Sequence, residues 1–201
     1  MSLRIGLDMD GVLADFRTAF HQSAERCLKR DVDAGGSPGA GETLAAGDIK
    51  QVWDLIGRTP NWWMEVKPYE PEQIARLHDL TRELGWEVFF LTKRPPSAGD
   101  TVQFQTQSWL ERYGFYLPSV LTVPGSRGEV ANGLRLDIVV DDLILNCVEI
   151  VSASPAKAML MLRDPHPPTQ KHATERGIGV ISTLAQSIDV DPMPGARVGL
   201  I

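Results

Sequence analysis

Four short runs are apolar at nearly every position: "LRIGL" (3–7), "VFFLT" (88–92), "DIVVD" (137–141) and "AMLML" (158–162). "SVLTV" (119–123) and "IGVIS" (178–182) are weaker examples. A strand with one wet face would alternate apolar and polar residues, so continuous runs of this length point to parallel strands buried on both faces. Helical stretches separate them. "EQIARLHDLTRELG" (72–85) is opened by Glu70-Pro71 and stopped by Gly85. "DTVQFQTQSWLERYG" (100–114) has Asp100 as its expected cap and Gly114 as its stop, and "LILNCVEIV" (143–151) is ended by Pro155. Strand and helix in alternation predict an α/β fold with a doubly wound, Rossmann-like parallel sheet. Ligands of such sheets bind beyond the carboxyl ends of the strands.

The alternation breaks once, after the first strand. Residues 12–28 carry a helical stripe of Val12, Leu13, Phe16, Ala19, Phe20, Ala24, Cys27 and Leu28. A Gly- and Ala-rich segment, "AGGSPGAGETLAAGD" (34–48), follows and is expected to be mobile. "DIKQVWDLIG" (48–57) resumes a helix, with Asp48 and Gln51 resembling a capping box. "TPNWWMEV" (59–66) then predicts a short turn with Thr59 as cap and Pro60 in its first position. The expected organisation is a small helical cap, residues 16–69, inserted into an α/β core formed by 1–15 and 70–201. The tail after Ile188 is expected to be poorly ordered.

The chain's 201 residues, 43% of them hydrophobic, suffice for one domain with an insertion. No apolar run approaches the roughly 20 residues of a membrane span. Met1 to Leu7 already reads as a strand rather than as a signal peptide. The two cysteines, Cys27 and Cys147, have no metal-like spacing, and as free thiols they fit a reducing cytoplasm. A net charge of −6 argues against a nucleic-acid polymer as partner. It leaves room for a small anion held by local positive groups.

The polar residues at the strand ends carry the chemistry. The first run ends in Asp8 and Asp10, the second in Thr92-Lys93-Arg94, and the one at 137–141 in Asp141-Asp142. All are carboxyl ends, so the fold gathers them into one crevice. Residues i and i+2 of an extended segment point the same way, so Asp8 and Asp10 face together, and Gly11 permits a sharp turn behind them. Two such charges at about 4 Å repel by about 4 kcal/mol at an effective dielectric near 20. Carboxylates converging in this way form a hard-oxygen site suited to Mg²⁺, with Asp8, Asp10, Asp141 and Asp142 as candidate ligands. Thr92 supplies a hydroxyl, while Lys93, Arg94 and Arg127 are candidate positive charges. Together these groups make a phosphate site. Taken singly each has a plainer account: Asp142 would cap the helix at Leu143, and Thr92 would merely end a strand. Their coincidence at one end of three strands favours the functional reading.

The insertion's aromatic residues, Phe16, Trp53, Trp62, Trp63 and Tyr69, are candidates to line a pocket for a flat ring. Trp53 falls on an apolar helix face and is expected in the core. Of the adjacent Trp62 and Trp63, one is expected to face the cleft; Phe16 and Trp63 are taken as substrate-binding candidates. His21, His78, His166 and His172 show no ligand spacing and receive no role.

"DMDGVLADF", "FFLTKRP" and "LDIVVDD" resemble motifs one, two and four of the haloacid dehalogenase (HAD) superfamily of phosphotransferases, over roughly residues 3–145. The helical insertion resembles that superfamily's first type of cap. "NWWMEVKPYEP", with the first motif, is most similar to the cytosolic 5′(3′)-deoxyribonucleotidase group. The resemblance implies an Mg²⁺-dependent hydrolysis of a small phosphorylated metabolite, in the closer likeness a deoxynucleoside monophosphate. It implies that Asp8 is the nucleophile, that Asp10 is the acid and base, and that Thr92 and nearby amides bind the phosphoryl oxygens. The metal would be held by the Asp8 carboxylate, the Asp10 backbone oxygen and one of Asp141 or Asp142. One departure stands out: the superfamily's third motif supplies a lysine, and none lies between Arg94 and Asp141. Arg127 is the first stand-in, Arg135 the second, and Lys93 reaching in is the other option. Two readings compete with the hydrolase: a receiver-like phospho-acceptor domain, and a phospho-ligand binding protein with weak or no turnover.

Overall fold

Strand β1 (Arg4–Asp8) is buried at every residue but its first, because it runs through the middle of a sheet covered on both faces. The computed structural model describes residues 2–32 and 44–189. Around β1 stand β2 (Glu87–Thr92), β3 (Ser119–Thr122), β4 (Ile138–Asp141), β5 (Lys157–Met161) and β6 (Gly179–Ile181). The order is β3-β2-β1-β4-β5-β6, and every pairing is parallel. Each expected strand is present, so the chain has the α/β doubly wound fold.

Successive residues of a strand point to opposite faces, and here they feed two separate cores. Phe90, Val140 and Met161 pack with side chains of α3 (Pro71–Leu84), α4 (Val102–Arg112) and α8 (Leu184–Ile188). Their neighbours Leu91, Val139 and Leu160 pack with α5 (Arg127–Gly133), α6 (Ile144–Ala153) and α7 (Pro167–Thr174). A strand buried on both sides has no polar position to spare until it ends, and its polar residues therefore collect at the rim.

The chain departs from β1 into α1 (Phe16–Leu28), and α2 (Ala46–Arg58) packs on α1. Departure and return are tied together: Asp15 N donates to Lys67 O at 2.7 Å and Tyr69 N to Leu13 O at 2.9 Å. A 3-10 turn at Trp62–Met64 precedes the return.

Several local expectations are corrected. Residues 11–14 are not helical; Gly11, at φ +83°, starts a tight turn in which Leu13 N and Ala14 N both donate to Met9 O. The first helix begins at Phe16, with the Asp15 side chain accepting from Thr18 N at 3.0 Å. Asp48 pairs with Arg30 at 2.6 Å instead of building a capping box, since α2 already begins at Ala46. Thr59 closes α2 rather than opening the next turn. Thr101, not Asp100, caps α4 by accepting from Phe104 N at 3.2 Å. Most of the Gly- and Ala-rich segment, and the tail beyond Asp189, lie outside the described residues. Among the described residues no helix is long and apolar enough to cross a membrane.

Candidate active site

The carboxyl ends of β1, β2 and β4 open onto a cavity of ≈ 850 Å³, roofed by residues of α1 and α2. Asp8, the last residue of β1, is 8% exposed and borders it. Arg127, the first residue of α5, donates Nη2 to Asp8 Oδ1. Its Nε lies 3.6 Å from Asp141 Oδ2, while its Nη1 is buried without a partner. Two features set Arg127 there. Ser126 caps α5 by accepting from Gly128 N and Glu129 N, and Gly128 lets α5 press on α6: a Cβ at that position would lie 2.4 Å from Glu149 O.

Asp10 also borders the cavity, and Arg94 holds it by both oxygens, Nε–Oδ2 at 2.9 Å and Nη2–Oδ1 at 2.8 Å. The Arg94 side chain is fully buried; Nη1 donates to Thr106 Oγ1 at 3.1 Å and the guanidinium lies 4.7 Å from the Trp63 ring centroid. A forked guanidinium on a carboxylate fixes orientation as well as charge.

Asp141 and Asp142 diverge, as neighbours at a strand end should. Asp141 is fully buried, accepts from Leu143 N and from Asn146 Nδ2 at 2.9 Å each, and does not border the cavity. Asp142 does border it, forms no ion pair among the described residues, and sits against Gly11, where a Cβ would lie 2.1 Å from its Oδ2. Helix α6 begins after Leu143 with no side-chain cap, so the plainer role of Asp142 as its cap is not seen.

Four carboxylates thus meet two buried guanidiniums, leaving two negative charges unmatched. Their titration reflects it. Burial first, then Asp141 and Asp10, push the Asp142 carboxyl up to about 8. Burial and then Asp141 push Asp8 well above the carboxylate range, with Arg127 opposing. Asp141 is also raised by burial, against the pull of the Leu143 amide and Asn146. Among the described residues no three His, Cys, Asp or Glu side chains stand together in metal-holding geometry. Of the four expected carboxylates Asp8, Asp10 and Asp142 border the cavity, the first two paired with Arg127 and Arg94, while Asp141 is turned onto amide donors.

The roof is aromatic. Phe16 stacks near Trp53 (5.8 Å, 18°) and Trp63 (5.9 Å, 24°), and all three border the cavity. Trp53 is half-buried there rather than closed into the core as expected. Both Trp62 and Trp63 are buried; Trp62 turns away and donates Nε1 to Ser23 Oγ at 3.2 Å. Thr92 is 1% exposed, does not border the cavity and accepts from Arg94 N at 3.4 Å. Lys93 is exposed and does border it. Residues not expected at the site include Arg163, whose Nε donates to Gly11 O at 3.2 Å and Nη2 to Val12 O at 2.5 Å. Its Nη1 pairs with Glu70 at 2.9 Å and its guanidinium lies 3.8 Å from the Tyr69 ring, so it braces the turn behind Asp10. No sequence signal marks it, because β5 ends two residues earlier in an ordinary apolar run.

Comparison with solved structures finds this fold in several proteins of low sequence identity. The chain is similar to a HAD family hydrolase from Deinococcus radiodurans with bound phosphate and sodium, at 13% identity, TM-score 0.58 and coverage of 92% of this chain and 93% of that one. It is also similar to a subfamily IA HAD hydrolase from Geobacter sulfurreducens (13% identity, TM-score 0.58, 94% and 99% covered). A third is a predicted phosphoglycolate phosphatase from Haemophilus somnus (13% identity, TM-score 0.57, 93% and 96% covered). No family model and no curated protein matches the sequence.

Proposed function

We propose that the chain is an Mg²⁺-dependent phosphomonoester hydrolase working through an aspartyl-phosphate on Asp8, with residues 16–69 as its cap. The observation that carries this reading is the position of Asp8: a buried carboxylate at the cavity floor, bonded to Arg127, with the unmatched Asp142 beside it.

The donor set suits a hard divalent cation. Mg²⁺ is commonly held by one or two carboxylates, with waters and phosphate oxygens completing its shell. Asp8, Asp142 and the Asp10 carbonyl would hold it, and two unmatched charges are what one such ion neutralises. When bound it screens the anionic nucleophile from the anionic phosphoryl group.

The chain's own groups do the rest. An Asp8 oxygen attacks phosphorus as the ester P–O bond breaks, and Asp10 gives its proton to the departing alcohol oxygen. Asp10, oriented by Arg94, then takes a proton from the water that attacks phosphorus and frees Asp8. Arg127, bonded to Asp8 at the cavity, supplies positive charge beside the phosphoryl group. Lys93 and the amides after Thr92 supply further donors. The stacked roof of Phe16, Trp53 and Trp63 suits a flat leaving group, and the likeness of the first motif and of "NWWMEVKPYEP" favours a deoxynucleoside monophosphate as the small phosphorylated metabolite. Two free thiols, Cys27 and Cys147, are in keeping with a cytoplasmic location.

A second reading rests on one observation. Arg127 pairs directly with the Asp8 oxygen that would attack, which suits a phospho-ligand binder with weak turnover. A screen of nucleoside monophosphates, sugar phosphates and small phosphorylated acids with Mg²⁺, native against Asp8→Asn, separates the two. Phosphate release lost in the variant supports the hydrolase; ligand binding without release favours the binder.

A further inference from the structure

Asp10 is gripped from two sides. Arg94, just past the end of β2, holds its carboxylate. Arg163, two residues past the end of β5, holds the backbone behind it. Arg163 Nε donates to Gly11 O at 3.2 Å and Nη2 to Val12 O at 2.5 Å, and among the described residues no backbone amide reaches either carbonyl. Gly11, at φ +83°, has no side chain by which packing could fix it, so its carbonyl is the handle that remains.

Arg163 is itself held. Its Nη1 pairs with Glu70 at 2.9 Å, its guanidinium lies 3.8 Å from the Tyr69 ring centroid, and Glu70 also accepts from Leu184 N at 2.9 Å. The two side chains of the pair are 20% and 18% exposed, largely withdrawn from water, unlike the surface pairs that contribute little. Each guanidinium nitrogen thus has its own acceptor, and a planar fork so engaged fixes direction as well as charge.

We propose that Arg163 is a positioning residue for Asp10: through the Gly11 and Val12 carbonyls it sets where the Asp10 carboxyl stands relative to the oxygen it protonates, and Glu70 sets Arg163. The inference rests on the phosphomonoesterase reading and adds to it a residue that acts through another. Its consequence is selective. Proton delivery matters where the departing oxygen is strongly basic and hardly matters where it leaves as a stable anion.

The test compares kcat/KM, which reports the first phosphoryl transfer, on benzyl phosphate and on p-nitrophenyl phosphate. Benzyl alkoxide needs a proton to leave; p-nitrophenolate does not. Arg163→Met should lower kcat/KM on benzyl phosphate about tenfold or more beyond any loss on p-nitrophenyl phosphate. A crystal structure of the variant should show the Asp10 carboxylate displaced by roughly 1 Å, enough for such a loss. Equal losses on the two esters overturn the proposal, since a loosened fold or weaker phosphate binding acts on both alike. Unchanged rates on both overturn it too, as does an Asp10 carboxylate that has not moved, whatever the rates. Should Arg163→Met not fold, Arg163→Lys takes its place in both measurements: an ammonium keeps the charge opposite Glu70 without the fork for two carbonyls, and the bias between esters should be about threefold. Equal losses in that variant overturn the proposal in the same way. If the native protein hydrolyses neither ester, the hydrolase reading fails by itself, and the position of Asp10 in the variant's structure alone decides on Arg163.

Discussion

Arg127 turns one terminal nitrogen onto the Asp8 carboxylate and keeps the other, Nη1, buried with no partner. One arm holds Asp8, the proposed nucleophile, and the second is closed off inside the protein. A lysine keeps the charge but has no fork. Arg127→Lys should lower kcat/KM roughly tenfold, and Arg127→Met, which removes charge and both donors, by about 10²–10³. Steady-state kinetics on the best substrate of the screen checks both, and a fully active Arg127→Met would remove this residue from the mechanism.

Asp142 sets a pH dependence on the metal-free protein. Its folded-state pKa, about 8, lies above the value of roughly 3.9 for an unfolded chain, so the folded protein binds more protons across that window. Stability from this group is fully present below about pH 4 and falls as pH rises towards 8. In chelator, Asp142→Asn should melt roughly 3–6 °C above native at pH 8 and within about 1 °C of it at pH 4. Added Mg²⁺ at pH 8 should raise the melting temperature of the native protein and not of the variant.

Gly128 positions Arg127 without touching substrate. A Cβ there would press on Glu149 O and on Ala153 Cβ, so Gly128→Ala must push α5 away from α6 and take Arg127 with it. Displacements of about 1 Å can reduce rate by about a hundredfold. The expectation is a loss of about tenfold or more in kcat/KM with a melting temperature lowered by roughly 4–8 °C. Gly133→Ala, on the same helix with open space at its Cβ, should raise stability by about 0.5 kcal/mol and serves as control.

The six strands were legible because a doubly buried strand admits no polar residue, and each apolar run in the sequence marks one. Asp8, Asp10 and Asp142 follow from strand ends alone. Side-chain direction beyond those ends was not legible. Alternation separates Asp141 from Asp142 without saying which faces the cavity, and past Thr92 the chain leaves the sheet, so nothing distinguished Arg94, which turns in on Asp10, from Lys93, which stays at the exposed rim. Trp53 was misjudged for one reason. A stripe at helical spacing identifies the buried face of α1 and α2, but part of that face covers a cavity rather than packed side chains.

Acid-quenched single turnover with Mg²⁺ and an excess of enzyme, followed by mass spectrometry of the peptide holding Asp8, tests phosphoryl transfer to that residue most directly. A transient phosphate adduct is expected on Asp8, absent in Asp8→Asn. Turnover at the native rate by Asp8→Asn, or an adduct on any other residue, would contradict it.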